Sequence, residues 1–349
     1  MAPIFTGSKF GFGRGASDAA SSPGIRFSGT GGEISAGTDN PDGYTYHYFK
    51  SSGAFVVSPD WTPGSVPSEH PTSALQVMVI AGGGAGGGRS GGGGGAGGIA
   101  CTPGGAGECA VIPVTPGLSI PIVVGNGGNG QPQAPGNAGN NSSFGPDPSP
   151  YYIRARAGGQ GANDGPMSGG PGGSGGGSHY SYGSGTGQQP GTNPQPWVSD
   201  YGHPGTTGGG APAHNSGAGG GAGAQGADGS QEHRGEAGGG QNFPNFTLTD
   251  WLPSSDPYYP GMNGTGGPKA YYGGGGGAGS YPPYHPQRFP NAAGYGGGGI
   301  GGPANSPGGA DAGIHGMGAG GGGCCAENED RTGGNGGNGI VVIKYKTIT

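Results

Sequence analysis

The run Ala74-Leu75-Gln76-Val77-Met78-Val79-Ile80-Ala81 passes without a break into Gly82-Gly83-Gly84-Ala85-Gly86-Gly87-Gly88. A short, continuous apolar block rich in β-branched residues reads as a buried strand, and here it feeds a glycine tract. The junction recurs in reverse near the other end, where Gly333-Gly334-Asn335-Gly336-Gly337-Asn338-Gly339 leads into Ile340-Val341-Val342-Ile343-Lys344-Tyr345-Lys346. Two buried strands therefore bracket a glycine-rich middle, and the later one has to pair with the early strands, since nothing near it in sequence could cover its apolar face.

Working outward, the 98 glycines and 34 prolines among 349 residues exclude extensive helix. Each interior Gly costs a helix roughly 1 kcal/mol relative to Ala, and each Pro about 3 kcal/mol. Leu, Ile, Val and Phe together number only 40, a share below the roughly 20% under which disorder is the default reading. Against disorder stand a formal charge of only −6, with 9% charged residues, and the gathering of apolar residues into strand-length blocks; disordered chains combine low hydrophobicity with high net charge. The expectation is an all-β fold, an antiparallel β-sandwich with essentially no α-helix.

Tyr44-Thr45-Tyr46-His47-Tyr48-Phe49 and Ala54-Phe55-Val56-Val57 flank Lys50-Ser51-Ser52-Gly53, a pattern that predicts a hairpin. Residues 108–114 and 119–124, joined by Thr115-Pro116-Gly117, predict a second one. Pro113 and Pro121 cannot donate to a ladder, which suggests edge positions or bulges. Residues 141–144 and 151–157 supply further short strands. Residues 1–40 read as an N-terminal docking arm and 41–349 as one glycine-rich domain, with the stretch from about 158 to 335 inserted in it.

The glycine tracts recur at 82–88, 91–98, 169–177, 208–226, 273–279, 296–302, 316–323 and 333–339. Lacking side chains to bury, they can gain order only through backbone hydrogen bonds. The polyproline-II conformation has three residues per turn and leaves its amides unpaired internally, so neighbouring segments can pair them laterally. This predicts an inserted bundle of polyglycine-II helices whose loops carry the remaining chemistry.

Three segments concentrate aromatic residues: 178–201, with Tyr180, Tyr182, Trp197 and Tyr201; 243–259, with Trp251, Tyr258 and Tyr259; and 271–295, with Tyr281, Tyr284 and His285. Tyr and Trp give large rigid contacts with a polar handle, which makes these ten residues candidate receptor contacts. The competing reading is that they cap the ends of the bundle and supply the apolar burial that glycine cannot.

Catalytic and cofactor chemistry finds no footing. G-x-G-x-x-G matches arise by chance in such a chain and mean nothing without a strand–turn–helix context. The eight His residues are scattered, without metal-site spacing. Glu327-Asn328-Glu329-Asp330 reads first as a solvated loop and second as a Ca²⁺ loop. Four cysteines permit three pairings; Cys101 and Cys109 are the candidate disulfide. No basic cluster marks a nucleic-acid partner, no apolar stretch reaches the ~20 residues of a membrane span, and residues 1–10 lack the pattern of a secretory signal.

The series Tyr44-Thr45-Tyr46-His47-Tyr48-Phe49, Gln76-Val77-Met78-Val79-Ile80-Ala81-Gly82-Gly83-Gly84, Thr115-Pro116-Gly117, Val123-Val124-Gly125-Asn126-Gly127-Gly128, Asn141-Ser142-Ser143-Phe144-Gly145 and Gly336-Gly337-Asn338-Gly339-Ile340-Val341-Val342-Ile343 resembles the glycine-rich domain common in bacteriophage tail-fibre and virion proteins. The likeness spans about residues 43–346. In pattern the chain is also similar to the extracellular glycine-rich domain of anaplastic lymphoma kinase. The resemblance implies a β-sandwich paired with polyglycine-II helices, with receptor-reading loops at the helix tips, and brings no catalytic motif or cofactor. The expectation is a non-enzymatic virion structural protein, a tail fibre, tip or surface appendage contributing to host attachment. It would bind other virion proteins through the N-terminal arm and a host surface glycan or protein through the aromatic loops, with homo-trimeric assembly as the symmetric option. The alternative is a capsid-surface decoration or adaptor protein without receptor recognition. An ice-binding or cell-wall protein would call for Thr or Ser ladders at three-residue spacing, which do not occur.

Overall fold

The computed structural model describes residues 27–35, 43–60, 75–102, 104–105, 108–109, 112, 114–165, 167–180, 182–195, 197–209, 215–229, 235–259, 271–279, 292–302, 309–324 and 331–346. The fold is essentially all-β, and its one described α-helix, α1, is the four-residue Leu248–Trp251. Two antiparallel sheets form the sandwich. In the five-stranded sheet the order is β1 (Gly29–Thr30), β4 (Gly53–Val57), β9 (Ser119–Val123), β10 (Ser142–Phe144) and β11 (Ile153–Ala155). In the six-stranded sheet it is β12 (Ser199–Tyr201), β6 (Ile99–Cys101), β5 (Gln76–Ile80), β15 (Ile340–Lys346), β3 (Tyr44–Phe49) and β2 (Glu33–Ser35). Two ribbons, β7 (Gly104–Gly105) with β8 (Glu108–Cys109) and β13 (Gln241–Asn242) with β14 (Tyr271–Tyr272), complete the strands.

The returning strand pairs as its composition requires. β15 lies between β3 and β5, with Val342 opposite Tyr48 on one side and Met78 on the other. Alternate residues of these strands enter different cores. Val77, Val79, Val341, Ile343 and Tyr345 pack between the sheets against Phe55, Val57, Ile120, Ile122, Phe144 and Ile153. Tyr46, Tyr48, Met78, Ile80, Ile340 and Val342 face the opposite way into a second core with Phe243, Phe246, Leu248, Trp251 and Tyr272. A strand buried on both faces shows an unbroken apolar run, whereas β9, with one face in water, alternates in burial.

Among the described residues neither hairpin expected from the sequence forms, because in each case the consecutive strands pair with other partners. β3 and β4 are consecutive but belong to different sheets: β3 pairs with β2 and β15, β4 with β1 and β9. The segment Lys50-Ser51-Ser52 is a corner between layers, which lets Phe49 and Phe55 enter the inter-sheet core from opposite sides. Likewise β8 closes on β7, and β9 pairs with β4 and β10. Pro121 sits in the inner strand β9, not at an edge; its carbonyl accepts from the Gly145 amide just past the end of β10, so its missing N–H faces beyond the last rung. Residues 29–35, expected in the docking arm, contribute β1 and β2 to the sandwich; residues 1–26 lie outside the described residues.

The glycine segments form a backbone hydrogen-bonded lattice with a three-residue recurrence. Along 82–88, the amides of Gly82, Ala85 and Gly88 donate to the carbonyls of Asn140, Asn137 and Ala134; those of Gly83 and Gly86 donate to Gly337 and Gly334; those of Gly84 and Gly87 donate to Gly95 and Gly92. The carbonyls of Gly82 and Ala85 accept from Gly158 and Gly161, those of Gly84 and Gly87 from Gly321 and Cys324, and that of Gly83 from Gly128. Segment 82–88 thus lies inside a ring formed by 125–130, 134–141, 157–163, 91–98, 317–324 and 333–339. The segments are so close that a Cβ on Gly94 would stand 2.1 Å from the Gly84 carbonyl oxygen.

This lattice is not confined to an insertion at 158–335. Its central segment and part of the ring are connections between early strands, β5 to β6 and β9 to β10. Sandwich and lattice share segments: the glycine runs 82–88, 91–98 and 333–339 continue β5, β6 and β15 outward from the six-stranded sheet.

Candidate binding surface

The lattice has two ends, and the aromatic candidates divide between them. Strand junctions such as Ala81–Gly82, Gly98–Ile99 and Gly339–Ile340 define the sandwich end. The turns at Arg89–Ser90, Gln133, Asp164–Gly165 and His179–Tyr180 define the far end: Gly88 bonds Ala134, Asp164 N donates to Arg89 O, and His179 Nδ1 lies 2.9 Å from Gly165 O.

At the sandwich end, a 3-10 turn (Pro244–Phe246) and α1 lay their apolar residues over the outer face of the six-stranded sheet. Trp251 is fully buried, its ring 5.5 Å from that of Tyr48 and its Nε1 donating to Phe246 O at 3.3 Å. The same carbonyl accepts from the Tyr272 hydroxyl at 2.6 Å, and burial pushes that phenol's pKa well above the usual value. Trp251 is therefore no receptor contact, correcting the sequence expectation: a small sheet face lined with Tyr, Met and Ile needs a large apolar lid, and Trp251 is that lid.

Tyr258 and Tyr259 pack partly against the same core. Their loop is tied down by Asp256, whose backbone carbonyl accepts from Tyr259 N and whose Oδ1 accepts from Tyr258 N. Asp256 Oδ2 receives Lys50 Nζ at 2.8 Å, and Lys50 also meets Glu33 at 2.6 Å. Burial works against the Lys50 ammonium, but hydrogen bonds and charge from Asp256 and Glu33 outweigh it and raise its pKa. Tyr201 packs edge-on against Phe243, centroids 5.1 Å apart, and Trp197 packs against the inter-sheet core. These four rings are half-buried caps with part of each face in water.

At the far end, Tyr182 is 42% exposed, and the Tyr180 ring lies over the His179 ring with centroids 3.5 Å apart. His179 is buried, with Nε2 3.6 Å from Asp164 Oδ1, while Asp164 Oδ2 pairs with Arg89 Nε at 3.1 Å. The four non-glycine residues with positive φ among the described residues, Arg89, Ser90, Gln133 and Tyr180, all lie in these turns. Backbone strain of this kind persists only where surroundings enforce it and gathers at functional sites. Sequence reasoning passed over Arg89, Asp164 and His179. The signal was available, because Arg89-Ser90 is the one break in an otherwise Gly/Ala stretch from 82 to 98. Tyr281, Tyr284, His285 and the acidic loop 327–330 lie outside the described residues.

Cys101 is a free cysteine, so the Cys101–Cys109 bridge does not form. Its side chain enters the second core beside Met78 and Ile99, its Sγ donates to Thr102 O at 3.3 Å, and burial pushes its pKa up to about 12. Among the described residues no group of three or more His, Cys, Asp or Glu is placed to hold a metal ion, and no helix is long and apolar enough to cross a membrane.

Fold and surface together define a class: a β-sandwich extended into a glycine lattice, with charged and aromatic side chains at the lattice's far end. The model of the glycine-rich domain matches residues 61–346, and the chain belongs to that family. No curated protein matches it.

Proposed function

We propose that the protein is a structural component of a bacteriophage virion, a tail fibre, tip or surface appendage that contributes to host attachment through the far end of its lattice. The observation that carries this reading is polarity. The β-sandwich, with its inter-sheet core, lies at one end of the lattice, while exposed Tyr182 and the strained turns lie at the other. The three-residue recurrence of bonding partners supports reading the segments between as polyglycine-II helices. Such a bundle is a stiff spacer that holds a recognition surface away from an anchoring base, and it gives attachment to other virion proteins and contact with a host glycan or protein to opposite ends.

The test is immunogold localisation of the chain on purified particles, combined with binding of the full chain to host cells. Label at a fibre or tip, with saturable binding weakened at least tenfold by Tyr182→Ala, is the expected result. Label on the capsid without cell binding would overturn attachment and leave the decoration or adaptor role.

A further inference from the structure

The lattice carries a second polar surface that the aromatic candidates do not include. Segments 125–130 and 134–141 run antiparallel at its edge, joined by Asn140 N donating to Asn126 O at 2.9 Å and Asn137 N donating to Asn129 O at 3.0 Å. Those bonds place Asn126 beside Asn140 and Asn129 beside Asn137. All four residues are exposed, and burial along 125–130 itself repeats every third residue, with Gly125 and Gly128 buried and Asn126 and Asn129 in water. None of the four carboxamides has a hydrogen-bond partner among the described residues. The third neighbour, 333–339, uses its asparagines differently: Asn338 Oδ1 and Asn335 Oδ1 accept from the amides of Gly127 and Gly130 at 2.9 and 2.8 Å. Asparagine there is part of the lattice, and in the 125–141 pair it is presented outward.

We infer that this two-by-two array of Asn126, Asn129, Asn137 and Asn140 is a binding surface for a neutral polysaccharide chain. Each carboxamide offers two donors and an acceptor, a match for sugar hydroxyls, which both donate and accept. Successive rungs are three residues apart, roughly 9 Å at the ~3.1 Å rise of such a helix, comparable to the length of two pyranose rings, so a repeating chain meets the same chemistry twice. Residues 125–141 contain no charged residue, and seven of these 17 residues are Asn or Gln, so the surface offers hydrogen bonds without the charge pairing that would favour an ionic polymer. The backbone is fixed by its lattice bonds, so less ordering entropy opposes binding than on a loop. The surface does not depend on where the protein sits in a particle.

Affinity electrophoresis of the full chain through native gels containing dextran, mannan, galactomannan or hydroxyethylcellulose tests this, with carboxymethylcellulose as the anionic comparison. Retardation by at least one neutral polymer is expected, weakened at least tenfold in the quadruple variant Asn126→Ala/Asn129→Ala/Asn137→Ala/Asn140→Ala. Each single-rung variant, Asn126→Ala/Asn140→Ala and Asn129→Ala/Asn137→Ala, should weaken it about threefold with the melting temperature unchanged. Tyr182→Ala should leave it intact, which separates this surface from the far end. Absence of retardation in all four neutral gels, retention in the quadruple variant, loss in Tyr182→Ala, or binding only to the anionic polymer would each overturn the inference.

Discussion

His47 on β3 and Tyr345 on β15 are hydrogen-bonded in the inter-sheet core, with His47 Nε2 3.1 Å from the Tyr345 hydroxyl. His47 Nδ1 lies 2.8 Å from Gly31 O, so in the neutral ring Nδ1–H donates to that carbonyl and Nε2 accepts from the phenol. Burial lowers the His47 pKa more than the Gly31 contact raises it. The folded state therefore prefers neutral His47, and the unfolded chain takes up the proton first as pH falls. Stability from this group is complete above about pH 6.5, the unfolded value, and declines as pH drops through it. Denaturant melts from pH 8 to pH 5 should show that decline, and His47→Gln should flatten it. A wild-type curve flat across this window would refute the assignment.

Tyr345→Phe removes the other half of the contact and leaves a buried imidazole nitrogen unpaired, a loss of about 1–3 kcal/mol. Gly29 N also donates to this hydroxyl at 3.3 Å, so the variant should increase hydrogen exchange at β1 as well. Unaltered exchange at Gly29 and Thr30 would show that the hydroxyl does not hold that edge.

The lattice predicts a sharp difference between two glycines. Gly94 donates to Gly321 O and accepts from Gly276 N, and its added Cβ would meet the Gly84 carbonyl oxygen at 2.1 Å. Neighbouring backbones cannot retreat without breaking their own bonds, so Gly94→Ala should cost about 3 kcal/mol or more. At Gly239 a Cβ meets nothing within 4 Å, and Gly239→Ala should be neutral or stabilise by roughly 0.4–1 kcal/mol through the unfolded chain. Equal melting temperatures for the two variants would contradict the lattice.

The unequal legibility of the chain follows from the same physics. The runs at 76–80 and 340–346 announced strands buried on both faces, and the pairing of β15 with the early sheet followed from the need to cover it. Sheet membership was hidden, because a corner such as 50–52 and a hairpin turn draw on the same residues, and only the packing of Phe49 and Phe55 distinguishes them. The spacing of Asn126 and Asn129, and of Asn335 and Asn338, wrote the three-residue period into the sequence. Which aromatic rings would be lids was not readable, since Trp251 and Tyr182 both lie in aromatic segments between glycine tracts, and only the packing of α1 on the outer sheet face separates them.

Those two rings give opposite expectations. Trp251→Ala opens the second core and should cost about 3–5 kcal/mol, detected as a loss of cooperative melting amplitude and increased exchange along β3 and β15. Tyr182→Ala touches an exposed ring and should change stability by less than about 0.5 kcal/mol, while reducing attachment to host cells. A Trp251→Ala protein that melts like wild type would remove the lid assignment.

Cys101 supplies a chemical probe of the same core. Alkylation requires the thiolate, and a thiol buried beside Met78 and Ile99 with its pKa pushed up to about 12 offers almost none at pH 8. Iodoacetamide at that pH should leave Cys101 unmodified in the native protein and modify it fully in denaturant, read by peptide mass mapping. In the Trp251→Ala variant the rate should rise, because the lid over this core is gone. Rapid native modification of Cys101 in the wild type would mean that the cap opens on the timescale of the reaction, and the second core would then have to be regarded as accessible from the side of α1.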